Sequence, residues 1–161
     1  MRKVWVRCII WSVLVVIIWF NVAHIRQCRG VSMLPTLGDG AIVVVYELGS
    51  HFHPPSRGDI ICVRSNERPL EIICKRVIAL PGEEIEIRSG IVCINDENLD
   101  ESYALINPSW QLPRTKLDDH HVYVIGDNRG MDMELHRQGQ AAVSNIAGKV
   151  VLVLYQGHKT H

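Results

Sequence analysis

The sequence lacks most of what would tie it to a nucleic acid, a metal or a disulfide framework. Its 17 Lys+Arg balance its 17 Asp+Glu, so no nucleic acid or acidic polymer is expected as a partner. Cys8, Cys28, Cys62, Cys74 and Cys93 form no CxxC pair and no even framework. Cys8 lies in an apolar span, and Cys62, Cys74 and Cys93 lie in apolar strand-like runs, so they read as small buried hydrophobes rather than bridges. His51-Phe52-His53 and His120-His121 have no spaced Cys or carboxylate set around them. They read as solvated loop histidines, and neither a metal nor a cofactor is expected. Past the N-terminus there is no repeat, no low-complexity tract and no sustained helical period, apart from a short turn near 144–147.

What is present begins with an apolar span over residues 4–23, interrupted only by Arg7, Ser12 and Asn21. As a helix it would be roughly 30 Å long, about one hydrocarbon core. Arg7 is near enough to the start to reach the headgroups, and Trp5 and Trp19 fall near the two interfaces. No small-x-small pair follows the span, which favours an uncleaved anchor over a secretory signal. Arg2, Lys3 and Arg7 precede its core while His24, Arg26 and Arg29 follow it, a weak bias toward a cytoplasmic N-terminus. The expected division is 1–25, cytoplasmic N-terminus and transmembrane anchor, and 26–161, a domain outside the cytoplasm.

That domain reads as short β-branched runs parted by turn residues: 41–46, 60–63, 70–80, 85–87, 91–94, 122–125 and 149–155. Arg88-Ser89-Gly90 reads as a three-residue hairpin loop. The polar stretch 96–119, with Pro108 and Pro113, reads as a surface excursion. The expected fold is therefore mainly β, a short-stranded barrel or paired sheets, with one N-terminal transmembrane helix.

Two residues suggest chemistry. Ser32 follows the span by about eight residues, and Lys75 lies in the apolar run 70–80. A serine hydroxyl attacks a carbonyl only if a nearby base takes its proton. None of the eight histidines sits in a setting that recommends it. Lysine can serve if desolvation lowers its pKa several units from ~10.4. Strand alternation puts Ile73, Val77 and Ala79 on the face of Lys75, and a Ser-Lys pair is a known variant of the catalytic triad.

Ser32-Met33-Leu34-Pro35-Thr36-Leu37, Arg57-Gly58-Asp59-Ile60, Lys75-Arg76-Val77-Ile78-Ala79-Leu80-Pro81-Gly82-Glu83 and Gly126-Asp127-Asn128-Arg129 occur in order behind the span. With Gly148-Lys149 they resemble the boxes of the bacterial type I signal peptidases, or leader peptidases. The resemblance runs from the anchor to Tyr155. It implies a membrane-bound serine endopeptidase that removes signal peptides from exported precursors, with Ser32 as nucleophile and Lys75 as general base. By the same resemblance the Ser32 N–H helps hold the oxyanion, and Gly30 stands where some members carry a second hydroxyl donor. Met33, Leu37, Ile73 and Cys74 match positions lining shallow pockets for small side chains, and Arg76, Asp127, Asn128, Asp132 and Glu134 would support the pair.

The implied partners are precursor proteins bearing signal peptides, the lipid bilayer and a secretion translocase. The implied place is the cell's inner (plasma) membrane, crossed once, with the catalytic domain on the extracytoplasmic side. A non-catalytic relative, or a specialised one maturing a narrow set of pilin-like substrates, is the alternative.

The last box departs from the family. Asp132, Glu134 and His136 occupy the places of a serine, an aspartate and an arginine. Glu134 keeps the sign needed to pair with Arg76, and His136 keeps some cationic capacity. An ionised Asp132 at ~4 Å from Lys75 would favour the charged amine by about 4 kcal/mol, roughly three pKa units in the wrong direction. A local shift of the loop, permitted by Gly130, is expected to turn Asp132 away.

Overall fold

The computed structural model describes residues 4–12, 23–47, 54–64, 72–104, 107–136 and 139–158. Among them there are eleven strands in two antiparallel sheets. These are β1 (Ala23–Gln27), β2 (Ile42–Tyr46), β3 (Ile60–Arg64), β4 (Ile72–Ala79), β5 (Glu84–Arg88), β6 (Ile91–Ile94), β7 (Glu97–Asn98), β8 (Leu112–Lys116), β9 (His121–Ile125), β10 (Gly139–Ala142) and β11 (Ile146–Tyr155). The larger sheet runs β1-β2-β11-β3-β4-β9-β10, and the smaller β7-β6-β5-β8. Single 3-10 turns occupy Met133–His136 and Val143–Asn145.

Three apolar clusters hold this arrangement together. Ile85, Ile87, Val92, Trp110 and Leu117 pack the small sheet onto Ile78 of β4 and Ile125 of β9. Met33 and Leu37 pack the segment after β1 onto Val43 and Val45 of β2 and Cys62 of β3. Ile61, Val63, Val77, Val122, Val124 and Ala141 fill a third cluster across β3, β4, β9 and β10. Each fully buried aliphatic side chain contributes about 1.5–3 kcal/mol. The second cluster matters most for function, because it fixes the Ser32 segment against the strands that neighbour Lys75.

The strands differ from the sequence reading in three places. Arg88 pairs directly with Ile91, so the hairpin loop is Ser89-Gly90, two residues rather than three. Both take positive φ, 48° and 81°, the geometry whose twist matches flanking antiparallel strands. The stretch 96–119 is not a mere excursion: it contributes β7 and β8 and buries Trp110 and Leu117 to 2 % exposure each. β1 and β10 carry no long β-branched run and are held by pairing with β2 and β9.

A helix covers 4–12 with every residue exposed. The rest of the expected span, 13–22, lies outside the described residues, and β1 begins at Ala23. Among the described residues no helix is long and apolar enough to cross a membrane.

Candidate active site

A groove of about 620 Å³ opens over the second apolar cluster, and Gly30, Ser32, Met33, Leu37, Ile73, Cys74 and Lys75 all line it. The sequence-derived pair and its expected pocket residues therefore share one cavity. Met33 and Leu37 are buried, at 4 % and 1 % exposure, and form its apolar floor.

Local hydrogen bonds fix Ser32. The Leu34 N–H donates to Val31 O (3.1 Å) and the Leu37 N–H to Met33 O (2.9 Å), closing the segment into consecutive turns. The last box clamps this segment from the other side. The Asn128 N–H donates to Ser32 O (3.0 Å), and Asn128 Nδ2 donates to Val31 O (3.0 Å). Gly126 lets the two backbones meet, since a Cβ there would lie 2.1 Å from Ser32 O and 2.5 Å from His136 Cε1. Any side chain at 126 would displace the serine.

Lys75 sits within β4, between β3 and β9 in the sheet, and is only 2 % exposed. Its Nζ donates to the backbone carbonyl of His136 at 2.6 Å. Burial in general disfavours an ammonium, whereas a carbonyl acceptor favours it.

The next residue, Arg76, turns to a different task. Its Nε and one terminal nitrogen donate to Asp127 Oδ1 and Oδ2 (2.8 and 2.5 Å), and the other terminal nitrogen to Gly58 O (2.8 Å). Thr36 Oγ1 also donates to Asp127 Oδ2 (2.5 Å). Asp127 thus ties β4, the turn after Ser32 and its own loop together. Burial works against the Arg76 charge, yet the hydrogen bonds and charge of Asp127 outweigh it and raise the guanidinium pKa. Arg76 also stacks on Tyr103, 4.0 Å from the ring centre, and Tyr103 Oη donates to Glu101 (2.7 Å). Glu101 in turn accepts from both terminal nitrogens of Arg129 (3.1 and 2.5 Å).

His136 is the functional residue that sequence reasoning undervalued. It is fully buried, with 0 % exposure, and edge-on to Trp110, the ring centres 5.0 Å apart. Its Nδ1 accepts from the Gly126 N–H (3.3 Å), and Nε2 lies 2.7 Å from Asn128 O. A ring that accepts at Nδ1 and donates at Nε2 is neutral. Burial, partly offset by the Asn128 carbonyl and reinforced by Lys75, pushes its pKa down from 6.5 to about 4. The cationic capacity expected of it is therefore absent near neutral pH; the ring positions the carbonyl that holds Lys75. Its place in the last box was visible in the sequence, but its burial against Trp110 was not.

The other departures resolve similarly. Asp132 is exposed and is not among the residues lining the groove. Among the described side chains, the carboxylate on Arg76 is Asp127. Glu134 falls in the 3-10 turn Met133–His136, and its side chain lies outside what is described. The Gly30 N–H is engaged by Asp39 Oδ1 at 2.7 Å, so it is not presented to the groove. His51 and His53 lie outside the described residues, whereas His121 Nδ1 is 2.7 Å from Asp118.

Comparison with known proteins decides the family. The family model described as signal peptidase, peptidase S26, matches residues 1–155. The chain belongs to the signal peptidase family. It is 40 % identical over 144 residues to a probable signal peptidase I of Synechocystis sp., which covers 84 % of this chain and 73 % of the relative. It is 36 % identical over 138 residues to signal peptidase I of Leptolyngbya laminosa, covering 81 % and 68 %. The fold is shared with a crystal structure of a signal peptidase I from Enterococcus faecalis. That match has a TM-score of 0.50 at 24 % identity and covers 60 % of this chain and 97 % of the other. Signal peptidase chemistry is thus the frame in which the groove is to be read.

Proposed function

We propose that the protein is a membrane-bound serine endopeptidase that removes signal peptides from exported precursors, with Ser32 as nucleophile and Lys75 as general base. Membership of the signal peptidase family supports the activity. The observation that carries the residue assignment is that Ser32 and the buried amine of Lys75 line one groove.

In the reaction, Ser32 Oγ attacks the scissile carbonyl as a neutral Lys75 Nζ takes its proton. The same amine returns that proton to the departing nitrogen, leaving an acyl-enzyme that water hydrolyses. The His136 carbonyl orients Nζ throughout, and it holds the charged amine that follows proton transfer more strongly than the neutral one. By likeness to the family, the Ser32 N–H is assigned to the developing oxyanion; one such donor is worth about 2.7–4 kcal/mol where measured. The apolar floor of Met33 and Leu37 admits small side chains before the cut and rejects bulky ones on steric grounds.

The membrane reading extends the same logic. Residues 4–23 act as a single-pass anchor that leaves the sheets on the extracytoplasmic side of the inner membrane, near the translocase. Exposed apolar side chains on β1 and β11 support a surface close to lipid. Ile25 of β1 (68 % exposed) and Leu152 of β11 (54 %) both pair with the buried Val44 of β2, and Val151, Leu154 and Tyr155 of β11 are exposed as well. Exposed apolar side chains gathered on neighbouring strands mark an interaction surface.

The test is cleavage of a model precursor carrying Ala at both small positions before the cut. The native chain is expected to release the mature protein and Ser32→Ala to release none. Equal cleavage by the two would sink the assignment.

A further inference from the structure

Three of the five cysteines converge on the groove. Cys28 comes from the segment leading into the Ser32 turns, Cys62 from β3 and Cys74 from β4, and all three line the cavity. Cys74 Sγ lies 2.8 Å from Cys62 Sγ and 3.4 Å from Cys28 Sγ. Cys62 and Cys74 are also directly opposite one another in the β3–β4 register. All three are free thiols. The mechanism above uses none of these sulfurs as a reacting group.

We propose that this trio is an oxidisable site in which Cys74 forms a disulfide with Cys28 or Cys62 and thereby shuts the groove. The proposal rests on the peptidase reading for its consequence, not for its chemistry. Cys74 is the sulfur common to both contacts, so either bond must use it. Directly opposed strand residues have Cα separations of about 4.5–5.5 Å, within the range a disulfide spans. Cys28 and Cys74 are only half-buried, so a small oxidant entering the groove reaches them.

A peroxide supplies the electron sink. The Cys74 thiolate attacks one peroxide oxygen, the O–O bond breaks, and water leaves behind a sulfenic acid. The neighbouring thiol then attacks the Cys74 sulfur, and a second water departs as the S–S bond forms. In sum, two thiols and one hydrogen peroxide give one disulfide and two waters. A dithiol reductant reverses the change by exchange.

The surroundings set the conditions. The contact with Cys74 and then burial push the Cys28 thiol above its ordinary range. The contact with Cys28 pulls Cys74 down, but that with Cys62 and burial outweigh it and leave it raised. Both thiols are therefore protonated near neutral pH, and oxidation accelerates as pH rises. The consequence for cleavage follows from adjacency. Cys74 immediately precedes Lys75, and an S–S bond is shorter than either present contact. Forming it locks the Cys74 side chain in the groove wall beside Lys75, and displacements of the reacting groups near 1 Å cost on the order of 100-fold in rate.

The experiment treats the purified full chain with hydrogen peroxide at pH 8.5, followed by alkylation, peptide mapping of disulfides and the precursor cleavage assay. Expected are a disulfide containing Cys74 and a loss of cleavage of at least tenfold, both reversed by dithiothreitol. Cys28→Ala and Cys62→Ala each retain one partner and should still form a Cys74 bond. The double variant should form none, each protein being compared with its own reduced state. A Cys74 thiol still alkylated after peroxide, or a disulfide lacking Cys74, would overturn the proposal, as would a mapped Cys74 disulfide with undiminished cleavage. Mapping reads the thiols even if the reduced chain cleaves nothing, and that second result would count against the peptidase reading alone.

Discussion

At the scale of single residues, the site depends on three buried polar groups whose charges differ by design of their surroundings. Lys75 is 2 % exposed, Asp127 and His136 are 0 % exposed, and each is held by a specific partner. His136 gives a pH prediction with a definite sign. Its folded pKa is about 4 against 6.5 for the free group, so between those values the unfolded chain binds the proton that the native ring refuses. Stability is therefore whole above about pH 6.5 and falls as pH drops toward 4. Denaturant titrations at pH 7 and 4.5 should show a smaller acid loss for His136→Gln than for the native chain; equal losses would refute the assignment. Asp132 makes the opposite case. Being exposed and outside the groove lining, it should tolerate replacement by Ser with the pH optimum of cleavage nearly unchanged. A lowered optimum would place its carboxylate against the Lys75 amine after all.

At the scale of elements, the loop 126–130 and the turns 31–37 behave as one unit. Gly126→Ala would set a methyl group 2.1 Å from Ser32 O, and relief requires moving the serine backbone. We expect cleavage to fall roughly 100-fold, with circular dichroism still reporting native sheets; unchanged kinetics would show that the two backbones are not locked together. Asp127→Asn leaves the half-buried Arg76 guanidinium without its buried counter-charge, at up to about 3–5 kcal/mol, which urea melts should register.

Elements also show what the sequence can and cannot reveal. The runs at 42–46, 60–64 and 91–94 were legible because β-branched residues follow one another between glycine or aspartate turns. β1 and β10 were not legible, since Ala-His-Ile-Arg-Gln and Gly-Gln-Ala-Ala are strands only by virtue of their neighbours. The same holds for the site. Ser32 and Lys75 were readable because short boxes surround them. The Lys75–His136 contact joins residues 61 apart in sequence through a backbone carbonyl, which no side-chain pattern announces.

For the whole molecule, strands β1, β3 and β4 of the larger sheet wall the groove, and the proposed anchor places it. With about eight residues between the span and Ser32, the nucleophile stays within ~30 Å of the bilayer even if that stretch were fully extended. Substrate and enzyme then share a thin layer, which raises effective concentration without new contacts. A chain lacking residues 1–22 should cleave a short soluble peptide at nearly the native rate. Its rate on a precursor in vesicles should fall roughly 100-fold, and equal losses on both substrates would argue that the segment serves folding instead.

The account turns on an uncharged Lys75 amine accepting the Ser32 proton, and the dependence of kcat/KM on pH for the native chain and Lys75→Ala reads that step directly. The native profile should rise on its acid limb through one ionisation, that of the amine, while Lys75→Ala should lose at least about 100-fold and show no such limb. A variant that keeps the native rate and the native profile would contradict the account.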